Sequence, residues 1–229
     1  MPHALITGAN RGLGLEHAAQ LLSRGWTITA AVRDPAGADA LKAHDPGDGR
    51  LRIEAYDAMD LSAAAALRKQ VNAPVDILFA NAGVMGPSDH GFGSAASEAL
   101  ADTLRVNSIA PLALAEAFAD LVAQSQMKVV ALQSSRMGSI SDNDSGGRYA
   151  YRASKAALNA IGKSLSADLK DQGIIVLILH PGWVKTDMGG PNGLLTTTES
   201  VDGQLDLIAR ANPAMSGRFF HVSGEDLPW

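Results

Sequence analysis

The sequence contains no cysteine, so disulfides, thiolate metal sites and a cysteine nucleophile are excluded. Positive charge is scarce as well: 19 Lys and Arg stand against 24 Asp and Glu, a formal net charge of −5. Without clustered Lys and Arg, no nucleic-acid partner is expected. No stretch approaches the roughly 20 consecutive apolar residues of a membrane span, and no membrane partner is expected. The opening M-P-H-A-L-I-T-G runs directly into a glycine-rich turn and lacks the charged and apolar regions of a secretory leader. Together with the missing cysteines, this leads to the expectation of a cytoplasmic protein. Metal chemistry has little support. The 6 histidines show no H-E-x-x-H spacing, and His180 beside Pro181 reads as a buried, hydrogen-bonded residue. D-N-D-S-G-G at 142–147 begins like a calcium loop but puts Ala153 where the closing glutamate belongs.

What the chain does have is apolar bulk: 46% of its 229 residues are hydrophobic and 19% are charged, the balance of a folded globular protein. Short β-branched runs at 3–7, 27–32, 51–56, 75–80, 128–133, 174–180 and 218–222 alternate with helical patterns near 13–24, 36–43, 62–72, 97–124, 150–172 and 199–211. The run I-I-V-L-I-L is apolar at every position, as a strand buried on both faces requires. This alternation predicts an α/β, Rossmann-like doubly wound fold with a single seven-stranded parallel sheet and helices on both faces. No linker divides the chain, so residues 1–229 are expected to form a single domain.

Immediately after the first strand comes T-G-A-N-R-G-L-G at 7–14. Glycines there permit positive φ and close backbone approach, so that the amides opening the next helix can face a pyrophosphate. The spacing is T-G-x-x-x-G-x-G, and at this point the sequence resembles the short-chain dehydrogenase/reductase family. Further motifs carry that resemblance along essentially the whole chain. They are N-A-G at Asn81, Ala82 and Gly83 after the fourth strand, Asp57 and Ala58 past the third, and P-G at Pro181 and Gly182 followed by W-V-K-T after the sixth. The blocks S-S-R-M-G-S-I and G-R-F-F-H-V-S-G-E-D-L-P-W look like the C-factor and sniffer-like carbonyl reductase branch.

The resemblance implies a nicotinamide dinucleotide held by Thr7, Gly8, Asn10, Arg11, Gly12, Leu13, Gly14, Asp57, Ala58, Asn81, Ala82, Gly83, Pro181, Gly182, Val184 and Thr186, with Tyr151 and Lys155 also touching it. Asp57 matches the family's adenine contact, although Asp60 stands nearby, and Val184 with Thr186 match its carboxamide contacts. The second strand ends A-A-V-R-D-P, and cations suit a 2′-phosphate where an acid suits a free ribose. Arg33 and Arg11 therefore favour NADP(H). NAD(H) is the alternative if Asp34 faces the ribose.

Tyr151 and Lys155 in R-Y-A-Y-R-A-S-K lie four residues apart, within roughly 40° of one another on a helix, whereas Tyr149 points about 240° away from the lysine. Within the family pattern this pair is catalytic. A phenol of pKa near 10 needs a neighbouring cation to work at neutral pH, and Lys155 is expected to supply it. Ser134, Ser135 and Ser139 compete as the hydroxyl that binds the substrate oxygen. Alignment on S-S-x-x-G-S selects Ser135, sixteen residues before Tyr151, and implies about three extra residues in the intervening loop. Asn107 matches the residue that bends the middle helix and holds a proton-relaying water.

The implied activity is carbonyl–alcohol interconversion by hydride transfer on a small-molecule ketone or aldehyde, apolar or aromatic. Met85, Phe92, Met137, Ile140, Trp183 and Met188 are candidates for either the pocket mouth or the core, and Tyr149 for lining the pocket ahead of the helix. The lid between Asp187 and Glu199 is short, which suggests an open pocket. In the family this chain resembles, the long helices corresponding to 97–124 and 150–172 build subunit interfaces, so the resemblance implies a homodimer or homotetramer. A cofactor-binding signalling or sensor protein of the C-factor type, with incidental catalysis, is the second reading. An intact proton-donor set speaks against it.

Overall fold

The computed structural model describes residues 1–87, 92–93 and 97–229. Seven strands form one fully parallel sheet: β1 (His3–Thr7), β2 (Thr27–Val32), β3 (Leu51–Ala55), β4 (Ile77–Ala80), β5 (Val129–Gln133), β6 (Ile175–His180) and β7 (Arg218–His221), in the order β3-β2-β1-β4-β5-β6-β7. The chain winds outward from β1 to β3 and returns beside β1 as β4. That reversal opens a crevice between the loops that follow β1 and β4, where ligands bind in open α/β sheets. This is the Rossmann-like doubly wound arrangement, with every strand's carboxyl end on one edge.

Helices α1 (Gly12–Ser23), α2 (Asp39–Lys42), α3 (Ala63–Gln70), α4 (Ser97–Leu104), α5 (Ala110–Ala123), α6 (Tyr149–Asp168) and α7 (Thr197–Ala209) cover both faces. Leu67, Leu114, Phe118, Leu158 and Leu165 bury one face of the sheet. Leu21, Leu22, Leu41, Val201, Leu205 and Ile208 bury the other. Local chemistry explains where α7 begins: Thr196 accepts from the Glu199 amide at 3.2 Å while the Glu199 carboxylate accepts from the Thr196 amide at 2.8 Å, a reciprocal cap.

Three elements differ from the sequence reading. The helix expected over 36–43 shrinks to the four residues of α2, because the Asp34 carboxylate accepts from the Ala36 amide at 3.0 Å and holds a turn there instead. The helix expected over 97–124 is interrupted by a π-helical turn, Arg105–Ile109, that joins α4 to α5; the bend falls at Asn107, where the resemblance implied one, but breaks the run into two helices. The run Glu98–Ala123 is also long and apolar enough to span a membrane by length and composition, which the sequence reading did not anticipate. Its Leu114, Phe118, Leu121 and Val122 lie in the core beneath the sheet, where an apolar helix of this composition is accounted for by packing.

Candidate active site

The turn after β1 is tightly built. Gly8 has φ +66°, and a Cβ on Gly14 would stand 2.3 Å from the Gly8 carbonyl oxygen, so only glycine fits there. The Thr7 hydroxyl accepts from the amides of Asn81 and Ala82 at 3.1 and 3.0 Å, and the Asn81 carboxamide donates to the Thr7 and Gly8 carbonyls at 2.9 and 3.4 Å. The N-A-G segment is thereby stitched to the glycine turn. No side chain caps α1 and no acid occupies its first turn. Its opening amides, from Gly12, Leu13 and Gly14, are free to meet an anion, with Asn10 exposed beside them.

At the tip of β2 the two competing side chains separate. The Asp34 carboxylate is held by the local turn, while the Arg33 guanidinium is exposed and makes no ion pair or hydrogen bond among the described residues. Arg11 departs from expectation, since it pairs with Asp187 at 3.3 Å across the mouth of the cleft. Asp57 is exposed after β3 and turns back to accept from the Met59 amide at 3.0 Å, Ala58 is buried beside it, and Asp60 caps Ser62. On the opposite wall, Pro181 and Gly182 end β6. Val184 is buried and bridges to Leu195, and the Thr186 methyl lies 3.7 Å from where a Gly12 Cβ would stand. Uncapped amides, a close-packed glycine turn and a cation at the ribose end together fit a dinucleotide phosphate. They would hold its pyrophosphate at α1 and its adenosine end at Arg33.

Tyr151 and Lys155 rise from the first turns of α6, both buried. The Lys155 ammonium lies 5.8 Å from the centre of the Tyr151 ring and donates to the Gln133 carbonyl at 2.8 Å. Burial depresses its pKa from 10.5 to about 8. For Tyr151 the outcome differs from the sequence expectation: burial raises the phenol above its ordinary value, and the Ser135 hydroxyl is what opposes the rise. The reason is geometric, because the ammonium is directed at the strand carbonyl rather than at the phenol oxygen. Of the three candidate serines, Ser134 donates to Asn159 at 2.5 Å and Ser139 donates to the Trp229 carbonyl at 2.9 Å. Ser135 alone of the three is set against Tyr151, its oxygen also accepting from the Met137 amide at 3.2 Å.

Asn107 is fully buried, and its carboxamide is wholly engaged. Its oxygen accepts from the Val84 amide at 2.8 Å, and its nitrogen donates to the Val84 carbonyl at 2.8 Å and to Ser154 at 3.0 Å. The side chain therefore clamps Val84, just beyond Gly83, to Ser154 of α6. Glycine fixes how closely α6 rides on the sheet. A Cβ on Gly162 would stand 2.7 Å from Ile178, and one on Gly138 would stand 2.7 Å from the Lys155 carbonyl carbon.

Several supporting residues escaped the sequence reading. Ser154, between Tyr151 and Lys155, ties Asn107 to the Tyr151 carbonyl. Ser200 donates to the Pro181 carbonyl at 2.7 Å and accepts from Gln204, which approaches His17 of α1. Complete burial pushes the His17 imidazole down to about 3, so it is neutral. The Trp229 carbonyl receives hydrogen bonds from Ser139, Ile140 and Ser141, pinning the loop that begins at Ser135. A buried serine or glutamine on a helix announces itself in sequence only as a polar residue on an apolar stripe, as Gln204 does among Val201, Leu205 and Ile208.

None of the six rim candidates is buried in the core. Phe92, Ile140, Trp183 and Met188 are exposed, while Met85 and Met137 are half-buried. Tyr149 is the first residue of α6 rather than part of the preceding loop, and it is exposed. The short lid is closed on itself, with the Trp183 indole donating to the Gly189 carbonyl at 2.7 Å and the Trp183 carbonyl accepting from Leu194 and Leu195.

A family model described as short chain dehydrogenase matches residues 2–193. Over 156 residues, 68% of this chain and 93% of the relative, the sequence is 45% identical to C-signal of Myxococcus xanthus. Among solved structures, the carbonyl reductase Sniffer of D. melanogaster superposes with a TM-score of 0.93 at 33% identity, over 100% of both chains. The NADPH-bound carbonyl reductase from chicken fatty liver gives a TM-score of 0.93 at 30% identity, over 100% of this chain and 99% of that one.

Proposed function

The chain belongs to the short-chain dehydrogenase family, and on that premise we propose that it interconverts a ketone or aldehyde and an alcohol with NADP(H) as its favoured cofactor. The observation that carries this reading is the buried Tyr151–Lys155 pair with Ser135 as the available hydroxyl, facing the crevice at the carboxyl edge of the sheet. The nicotinamide supplies the hydride in reduction and takes it up in oxidation. Ser135 orients the substrate oxygen by a hydrogen bond, and Tyr151 delivers a proton to it. The raised pKa of the phenol keeps that proton in place at neutral pH, which suits a donor. Lys155, charged below about pH 8, places a cation behind the phenol as its proton departs. Arg33, with Asp34 turned aside, supports NADP(H) over NAD(H), in keeping with the NADPH in the chicken liver relative. The substrate is a carbonyl compound with an apolar or aromatic body, matched to the exposed Trp183, Ile140 and Met188 around the rim.

The test is a spectrophotometric screen of NADPH and NADH oxidation across ketones, aldehydes and quinones. Tyr151→Phe should lose about 10²-fold or more of kcat. Turnover unaffected by that substitution would overturn the assignment of the proton donor. The identity to C-signal motivates a second reading, in which the bound cofactor itself is the signal. That reading requires Tyr151→Phe to retain biological activity while losing turnover.

A further inference from the structure

Beside Ser135, the carboxyl edge of the sheet carries a basic cluster that the proton-donor set does not use. Parallel register places Gln133 opposite Leu179 and His180 opposite His221, so Ser135, the turn beginning at Arg136, His180 and His221 follow one another along the same edge. The rings of His180 and His221 lie 5.4 Å apart. His180 Nδ1 is buried with no hydrogen-bond partner among the described residues, and His221 Nε2 lies 3.6 Å from where a Gly182 Cβ would stand, at the turn that borders the crevice. Burial first, then the neighbouring His221 and Arg136, push His180 down to about 3, and burial with Arg136 also lowers His221, so both rings are neutral at physiological pH. Neutral imidazoles each keep one N–H to donate. The carboxylates near the cluster are Asp142 and Glu225. Asp142 meets Arg136 at 3.5 Å with both side chains about half exposed, an ion pair of little strength that a better-placed anion displaces.

We propose that Arg136, with His180 and His221 beside it, is a carboxylate-binding subsite, and that the preferred substrate is therefore a carbonyl compound carrying an anionic group. This proposal rests on the carbonyl-reductase reading of Ser135 and Tyr151. Adjacent residues are about 3.8 Å apart at Cα. Arg136 directly follows Ser135, so its guanidinium is tethered within one arginine side chain's reach of a substrate oxygen that Ser135 holds. Guanidinium binds carboxylate in a planar, two-pronged fashion that an ammonium does not reproduce, which makes the subsite selective for this class.

The experiment measures NADPH-dependent kcat/KM for benzaldehyde and for 3-formylbenzoate, with wild type, Arg136→Leu and Arg136→Lys. Wild type is expected to favour the carboxylate about tenfold or more. The ratio should collapse in Arg136→Leu and be partly restored in Arg136→Lys, and most of the change should appear in KM for 3-formylbenzoate. A wild type that favours the neutral aldehyde, or a ratio that stays within about twofold in Arg136→Leu, overturns the subsite while leaving the reductase reading intact. Absence of turnover with both aldehydes and with the wider carbonyl screen overturns the reductase reading, and the subsite with it.

Discussion

Replacing Lys155 with methionine should destroy activity and make the protein harder to unfold. The ammonium is completely buried, and its one hydrogen bond runs to the Gln133 carbonyl. Its pKa falls from 10.5 to about 8 through burial. At about 1.4 kcal/mol per pKa unit, keeping the proton on this buried lysine costs the fold roughly 3 kcal/mol at pH 7. Methionine removes that cost at similar volume and forfeits one hydrogen bond worth about 1 kcal/mol. The net gain is about 2 kcal/mol, which for a chain of this length corresponds to a Tm increase of roughly 4–8 °C. The sign of the pH dependence follows from the depressed folded-state pKa. The penalty is present in full below about pH 8 and disappears above 10.5, so wild-type stability rises with pH across that window and the advantage of Lys155→Met shrinks. Thermal unfolding of both proteins without cofactor, followed by circular dichroism at pH 7 and pH 10, reads this directly. A variant that melts below wild type at pH 7, or an advantage of equal size at both pH values, refutes the reasoning.

Two further outcomes follow from the same geometry. Arg33→Ala should raise KM for NADPH tenfold or more relative to KM for NADH, because Asp34 is held by its own turn and cannot replace the lost charge; equal losses for both cofactors refute the assignment. Ser135→Ala should lower kcat about 10²-fold, whereas Ser139→Ala, which loses its bonds to the Trp229 carbonyl and from the Asp142 amide, should cost about 1–2 kcal/mol of stability with kcat changed less than threefold; the reverse pattern identifies Ser139 as the substrate-oxygen partner instead.

Much of the framework was legible because the signals were local. Strands β1 and β2 begin and end where their apolar runs do, since punctuating residues such as Gly8 and Gly25 bound them. Tyr151 and Lys155 share one helical face, and helical spacing alone says so. Other features are made by distant partners. The family pattern places a bend at Asn107, but nothing in R-V-N-S-I itself announces that the bend is a π-helical turn, and its carboxamide is taken up by Val84 and Ser154, residues remote in the chain. The aim of the Lys155 ammonium depends on a carbonyl of β5, and the engagement of Arg11 by Asp187 depends on a loop 176 residues later. Short helices are equally opaque: the Ala-rich stretch at 36–43 invites a helix, and a single aspartate side chain takes half of it away.

The close seats of Gly138 and Gly162 impose a limit on how this site can change. The height of the phenol above the crevice is set where the Gly138 and Lys155 backbones touch and where Gly162 lies directly against the Ile178 side chain, with no Cβ on either glycine to hold them apart. A residue with a Cβ has no smaller version to step through, so random substitution has no gradual route by which to raise or lower the proton donor. On the proposed reductase reading, variation in substrate would be channelled into positions such as Arg136 and Trp183, whose side chains reach solvent and can be exchanged without disturbing the distance between helix and sheet. The chemistry is held constant by missing atoms, and the selectivity is left to those that remain.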